Sequence, residues 1–350
     1  MKRSLQLKLI LLPTTYYLLS TVLCGCQSKT LYRDSQVMMG TFVEVISPYK
    51  DAPNIAFAEI KRVENLLSKY KEDSEIGKLN KLGKLKASPD TFYVLRKAGE
   101  FWQISDGAFD ITVGPLMDLW GFTDKKYHLS SPCAQELDLP KKEEIEQTLS
   151  IVGFDKIIFN IDGNVVEFKV LGMKIDLGGI AKGYAVDCAV RKLKEHGIKS
   201  CLINAGGDIY CLGDKPRSSF NPILYFKEGR GKFGRPWNVA VQAPRNKVFW
   251  DYLKLKDKAV ATSGDYAQYF VNKHKRYTHI FNPKTGYPSD SGVISVTVIA
   301  PDCLTADALA TSIFVLGKDK GLKLAKRFKD VTAEIIEERV TSPIGLRNGP

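Results

Sequence analysis

The chain has 350 residues, a formal net charge of +12 and 44% hydrophobic residues. That is ample apolar material for one large domain or two smaller ones, and it is not the low-hydrophobicity, high-charge balance of a disordered chain. The basic residues are dispersed over Lys61/Arg62, Lys141/Lys142, Arg191 to Lys199, Lys273 to Arg276 and Lys318 to Lys329, mostly at helical spacing. With no aromatic-and-basic interleaving, zinc module or helix-turn-helix pattern beside them, they do not indicate nucleic acid; they suit an anionic substrate or an anionic membrane surface.

Lys2, Arg3 and Lys8 precede a mostly apolar run from Leu9 to Leu23, interrupted by Pro13 and Thr14-Thr15. The run is too short and broken for a spanning helix and reads as a targeting segment. It closes on Leu23-Cys24-Gly25-Cys26, which resembles a bacterial lipobox with cleavage before Cys26 and the lipid on that residue; an ordinary secretory signal is the other reading. The organisation expected is a signal peptide over 1–25, a polar tether over 26–36 and a single domain over 37–350, anchored by lipid to a cell membrane on its periplasmic side. Cys133, Cys188, Cys201, Cys211 and Cys303 contain no Cys-x-x-Cys pair, so neither a disulfide framework nor a zinc site is suggested. Cys188 and Cys201 lie in apolar segments as buried hydrophobes, and a pairing of Cys201 with Cys211 stays open.

Along the domain, Met39 to Val45 alternates like a strand, and Ile55, Ala58, Ile60, Val63, Leu66 and Leu67 place a helix over Ala52 to Tyr70. A second helix covers Phe92 to Ser105, and Gly107 to Phe122 follows as a loop and short helix. Ser130 to Lys142 is polar and proline-bearing, a surface loop. Lys156 to Asp176 gives two strands around the Asp162-Gly163-Asn164 turn. Ile180 to His196 is a helix stopped by Gly197. Two strands flank Gly206-Gly207 within Lys199 to Leu212. Further strands are expected over Trp237 to Gln242, Leu253 to Thr262, Tyr266 to Val271 and Gly292 to Ala300. Thr305 to Leu316 and Lys320 to Lys329 read as helices, and Val331 to Glu337 as a closing strand. Hairpin-like strand pairs outnumber βαβ units, so the fold class is α+β, with largely antiparallel sheets packed against helices.

Several clusters carry chemistry. In Leu304-Thr305-Ala306-Asp307-Ala308-Leu309-Ala310-Thr311, Asp307 and Thr311 are one helical turn apart and project from the same face. A carboxylate and a hydroxyl so placed are half of a hard-cation site of the kind Mg²⁺ shares with phosphates; helix capping by Thr305 and a favourable helix dipole explain the same residues without a metal. Asp176-Leu177-Gly178-Gly179-Ile180-Ala181-Lys182 ends a strand, turns on two glycines and opens a helix, a backbone geometry that suits a phosphate or simply a tight turn. It lacks the Gly-x-Gly-x-x-Gly spacing of a nicotinamide site. Asp106-Gly107-Ala108-Phe109-Asp110 sets two acids about an aromatic, fit for a planar heterocycle or for a capped turn. Asn204-Ala205-Gly206-Gly207-Asp208 reads as a hairpin turn. His279 ends an apolar strand in Thr278-His279-Ile280-Phe281-Asn282-Pro283, where it can take a proton near neutrality or serve as a core histidine.

Together, in order, Met-Gly-Thr, Gly-Ala-Phe-Asp, Asp-Leu-Gly-Gly-Ile-Ala-Lys-Gly-Tyr, Asn-Ala-Gly-Gly-Asp, Thr-Ser-Gly, His-Ile-Phe-Asn-Pro-Lys-Thr-Gly and Thr-Ala-Asp-Ala-Leu-Ala-Thr resemble the ApbE family of flavin transferases, over about Val37 to Gly317. The resemblance implies an ApbE-like (T-fold-like) architecture and transfer of FMN from FAD to a threonine hydroxyl of an acceptor flavoprotein, with release of AMP. It implies flavin or adenine contacts from Met39 and Tyr70. Further FAD contacts would come from Ala108, Phe109, Asp110, Asp176, Lys182 and a backbone or ring contact of Phe281. Mg²⁺ would be held by the Gly179 carbonyl, Asp307 and Thr311, with His279 as the base. Ala310 departs from relatives that carry a second Asp there. The acceptor implied is an exported or membrane-bound electron-transfer subunit with a Ser/Thr-Gly-Ala-Thr-type segment. Two other activities fit the same motifs: Mg²⁺-dependent FAD pyrophosphatase, giving FMN and AMP, and FAD binding by a lipoprotein without catalysis.

Overall fold

The computed structural model describes residues 30–124, 138–216, 234–245 and 249–338. Its centre is a seven-stranded sheet in the order β1-β2-β6-β7-β10-β13-β14. The strands are β1 (Tyr32–Met38), β2 (Thr41–Ser47), β6 (Cys201–Ala205), β7 (Asp208–Leu212), β10 (Lys258–Gly264), β13 (Val293–Ala300) and β14 (Thr332–Glu337). Every neighbouring pair is antiparallel, the α+β arrangement the hairpin count predicts.

One face of this sheet is covered by three helices: α1 (Ala52–Leu67), α6 (Ala181–Glu195) and α7 (Cys303–Leu316). Their apolar residues and the inward positions of β2, β6 and β13 form the main core, in which Val43, Val45, Ile60, Val63, Ala185, Ile203, Val296, Leu309 and Ile313 have no exposed surface. The α7 helix is apolar all round and buried at most positions, as a helix enclosed on every side must be. On the opposite face lies a ribbon of β8 (Trp237–Gln242) and β9 (Phe249–Leu255); Trp237, Val239 and Leu255 meet Leu202, Cys211 and Val260 there. A third cluster, around the buried Trp120, joins α4 (Gly114–Leu119), α5 (Lys142–Leu149) and the hairpin of β11 (Tyr269–Asn272) and β12 (Lys275–Thr278). The remaining elements are α2 (Glu75–Leu82), α3 (Pro89–Ile104), the sheet of β3 (Lys84–Lys86), β5 (Val165–Phe168) and β4 (Ile157–Asn160), and α8 (Lys318–Ala325).

Several expectations shift. β1 takes in Tyr32 to Gln36 of the stretch expected to be tether and pairs with β2 along its whole length, from Tyr32↔Ser47 to Met38↔Thr41. Met39 and Gly40 are the turn between them, not the start of a strand, and Met39 sits at φ 52°. No strand runs into Asp176: β5 ends at Phe168, and Asp176 is fixed instead by its N–H donating to the Ile111 carbonyl at 2.7 Å. The strand expected over Leu253 to Thr262 is two, β9 and β10, divided where Asp257 adopts φ 48° and donates its N–H to the Cys211 carbonyl at 2.7 Å. The α7 helix begins at Cys303, because Asp302 rather than Thr305 is its cap and accepts the Thr305 N–H at 2.8 Å. Of the loop expected over Ser130 to Lys142, residues 130–137 lie outside the described residues and Lys142 already opens α5. Cys201 and Cys211 are both free. The register Leu202↔Cys211 and Cys201↔Leu212 points them to opposite faces of the sheet, which rules out the bond. Cys26, the expected lipid acceptor, lies outside the described residues.

Candidate active site

The site forms where the start of α6, the middle of α7 and the β6–β7 turn converge. That turn is the two-residue hairpin read from Gly206-Gly207: both glycines have positive φ, and Ala205 pairs with Asp208. Its effect is to start β7 on Asp208, which is buried and faces the first turn of α6. Lys182 Nζ stands 2.7 Å from Asp208 Oδ2 and 3.5 Å from Asp307 Oδ2. Asp208 Oδ2 accepts no aligned hydrogen bond, so the ammonium meets it as an ion pair. Asp307 Oδ2 accepts the Gly183 N–H at 3.2 Å. Burial, then the neighbouring Asp208 charge, pushes the Asp307 carboxyl up to about 7, against the pull of Lys182 and the Gly183 amide. Burial works to lower Lys182, but the two carboxylates outweigh it and hold the ammonium above its ordinary range.

One turn further along α7, Thr311 Oγ1 lies 3.2 Å from Ser263 Oγ of β10. A Cβ built on Gly179 would fall 2.9 Å from Thr311 Oγ1 and 3.2 Å from the Phe109 ring, so only glycine lets the backbone come this close. Gly179 is therefore brought against Thr311, one helical turn from Asp307; a carbonyl, a carboxylate and a hydroxyl are all hard oxygen donors of the kind Mg²⁺ takes. Among the described residues no group of three or more His, Cys, Asp or Glu side chains is placed to hold a metal ion, here or elsewhere. Ala310 is fully buried and adds no oxygen to this set.

The α7 helix is held at this height by Asp187 of α6, whose two oxygens accept the N–H groups of Cys303 and Leu304, each at 2.8 Å. Burial pushes Asp187 up to about 7 even with both amides opposing it. This clasp fixes Lys182 and Gly183 on one helix against Asp307 and Thr311 on the other.

Asp176 and His279 complete the polar wall. Burial raises the Asp176 carboxyl, but Lys69 at 2.7 Å and the Gly178 N–H at 2.7 Å prevail and hold it below the ordinary range. His279 Nδ1 is 3.0 Å from the Gln268 carbonyl, which only accepts, so Nδ1 carries the proton and Nε2 keeps its lone pair. Burial lowers the pKa of His279 below 6.5; the Gln268 contact and Asp176 oppose the shift and Lys182 assists it. The ring is thus a neutral base at physiological pH, within the electrostatic reach of both Asp176 and Lys182.

The other expected contacts divide. Ala108 and Phe109 are buried beside Gly179, with the Phe109 N–H held by Ser105 Oγ at 3.0 Å. Asp110 is turned inward: Oδ1 accepts the Thr112 N–H at 2.8 Å and hydroxyl at 2.6 Å, and Oδ2 the Phe154 N–H at 3.0 Å. Burial raises its carboxyl. Its carboxylate is committed to fixing the loop, which leaves the backbone as what the loop offers a ligand. The Phe281 ring is likewise enclosed, 6.2 Å from Trp120 and 5.8 Å from Phe122, leaving its main chain for a contact. Met39 donates its N–H to Glu64 Oε1 at 2.9 Å. Tyr70 is 68% exposed, with the Lys69 ammonium 5.0 Å from its ring centroid, and so joins the site through the Lys69–Asp176 pair. Sequence reasoning missed Lys69, Asp187 and Ser263 as site-building residues and saw Asp208 only as the end of a turn. Ser263 and Asp208 stood inside quoted motifs; Asp187, in the helix after one of them, and Lys69, at a helix end, carried no signal.

An α+β domain that gathers buried acids, a lysine and a neutral histidine about a glycine elbow has the polar groups of an enzyme active site. The chain belongs to the ApbE family, whose profile matches residues 39–336. It is 32% identical over 320 residues to the FAD:protein FMN transferase of Vibrio cholerae, covering 87% of each chain, and 33% identical over 279 residues to that of Haemophilus influenzae, covering 77% of this chain and 74% of the relative. Among solved structures, the ApbE protein from Thermotoga maritima superposes with a TM-score of 0.73 at 35% identity, over 88% of this chain and 94% of that one. The Vibrio cholerae flavin transferase ApbE gives 0.71 at 28% identity with the same coverage.

Proposed function

We propose that this protein is an FAD:protein FMN transferase: it moves FMN from FAD to a threonine hydroxyl of an acceptor flavoprotein and releases AMP. What supports the reading is the contact of Gly179 with Thr311, one helical turn from Asp307 and its neighbour Lys182, together with a His279 whose Nδ1 carries the proton. In the reaction the threonine oxygen forms a bond to the flavin-side phosphorus, the bond from that phosphorus to the bridging oxygen breaks, and AMP leaves with that oxygen. His279 Nε2 takes the hydroxyl proton, and the Nδ1–H bond to Gln268 keeps the ring aimed while it does so. Lys182 offers positive charge to the diphosphate, and the backbone of Ala108 to Asp110 and of Phe281 shapes the flavin side. Mg²⁺ held by the Gly179 carbonyl, Asp307 and Thr311 would offset negative charge on the phosphate oxygens.

The acceptor carries a Ser/Thr-Gly-Ala-Thr-type segment, and a lipid on Cys26 would keep the enzyme at the periplasmic side of a cell membrane, beside exported electron-transfer subunits. No helix among the described residues is long and apolar enough to cross a membrane. The test is incubation with FAD, Mg²⁺ and an acceptor domain. Flavin fluorescence that stays with the acceptor through denaturing electrophoresis is expected. Free FMN and AMP without labelled acceptor would instead mean a pyrophosphatase, and FAD bound without turnover a carrier.

A further inference from the structure

Resting on the cation-site reading above, the pairing of Lys182 assigns a role to Asp208. Lys182 has two carboxylates within reach and does not divide itself evenly between them: its ammonium is at charge-assisted hydrogen-bond distance from Asp208, 2.7 Å, and beyond it from Asp307, 3.5 Å. Both acids are nearly closed to solvent, at 4% and 5% side-chain exposure, while the lysine is 27% exposed toward the cleft. The ammonium also donates to the Gly178 carbonyl at 3.3 Å, on the glycine elbow that faces Thr311. An ammonium seated fully on Asp307 would neutralise the carboxylate charge that a cation would be drawn to. We infer that Asp208 is a positioning residue that draws the Lys182 ammonium off Asp307, keeping the Asp307 carboxylate open to a divalent cation and the ammonium available to an anionic phosphate.

The physical alternative is set by desolvation. A partly buried ammonium that loses its nearest counter-charge takes the next one, because leaving it unpaired is more costly than shifting a flexible lysine by about an ångström. Neutralising Asp208 therefore sends Lys182 onto Asp307 and closes the cation site, although Asp208 itself need not touch the cation. A direct ligand would also weaken binding when neutralised, and removing the lysine separates the two cases.

The experiment is Mn²⁺ titration by electron paramagnetic resonance on the purified protein without FAD, with melting curves on every variant. The wild type is expected to bind Mn²⁺, and Asp307→Ala to lose it. Asp208→Asn is expected to weaken binding about tenfold, and Asp208→Asn with Lys182→Met to recover it to within about threefold of Lys182→Met alone. Lys182→Met alone should bind at least as tightly as wild type, a result that stands even if Asp208→Asn fails to fold. Wild-type affinity in Asp208→Asn overturns the inference, as does a double variant no tighter than Asp208→Asn, or weakened binding in Lys182→Met. A wild type with no Mn²⁺ signal that depends on Asp307 overturns the cation-site reading itself and takes this inference with it.

Discussion

The two sides of the cleft are built on opposite plans. On the α6–α7 side, functional side chains are presented with oxygens or charge to spare: Asp307 and Thr311 rise from a helix clasped by Asp187, and Lys182 stands between two acids. On the side of the Ala108–Asp110 loop and Phe281, the side chains are used up in packing and loop fixation, and the main chain is left to meet the ligand. Substitutions on the first side should therefore change chemistry more than stability, and those that weaken the clasp should do the reverse.

The largest expected effect is from Asp307→Ala. Removing the carboxylate should cut AMP release and flavin transfer by about a thousandfold or more while the melting temperature holds or rises, since burial beside Asp208 holds this carboxyl above its ordinary range and makes it an electrostatic burden on the fold. Unchanged AMP release would erase the distinction between the two sides. His279→Ala should slow transfer by about 10²- to 10⁴-fold and weaken FAD binding far less, as measured by single-turnover kinetics against fluorescence quenching. Equal losses in both would move His279 into the binding pocket. The sign of the pH dependence follows from its lowered pKa: the base is lost as pH falls through that value, so the acid limb of the wild-type rate should lie below pH 6.5.

Asp187→Ala tests the clasp. Orphaning the Cys303 and Leu304 amides should cost about 2–4 kcal/mol of stability in urea titrations near pH 4.5. Asp187 is raised in the fold, from 3.8 to about 7, so its contribution is complete below its unfolded value and drains away as pH climbs through the folded one. The deficit of the variant should therefore narrow between pH 4.5 and 7.5; a deficit that stays constant would mean the carboxylate is ionised in the fold throughout. The smallest effect is expected from Tyr70→Ala. An exposed ring that reaches the site through Lys69 should change FAD affinity only severalfold and leave the melting temperature unmoved.

Local signals announced much of this molecule. Gly206-Gly207 named its own turn, Trp237 to Gln242 its strand, and Gly197 the end of α6, because turn chemistry and strict alternation are written in adjacent residues. Asp307 and Thr311 were legible as a pair for the same reason: one helical turn fixes their common face. What stayed hidden depended on partners distant in sequence. Whether Asp110 faces a ligand or the interior is decided by Phe154, more than forty residues on, and Lys69 becomes a site residue only when the fold brings Asp176 to it. The α2 helix escaped notice because its run is short and mostly polar, although Ser74 caps it by accepting the Gly77 N–H at 2.8 Å. β1 reads as polar chain because an edge strand needs no buried face: six of its seven residues are exposed, so no alternation marks it.

That outer strand has a practical consequence for anyone trimming the protein to a soluble fragment. A chain cut before Val37, where the recognisable motifs begin, would lose most of β1 and turn β2 into the rim of the sheet. The hydrogen-bonding groups of β2, and Phe42 already 73% exposed, would then face a ready template for a neighbouring copy, whereas the native rim places Arg33 and Asp34 there. Retaining residues from Thr30 onward keeps the charged rim that discourages such pairing.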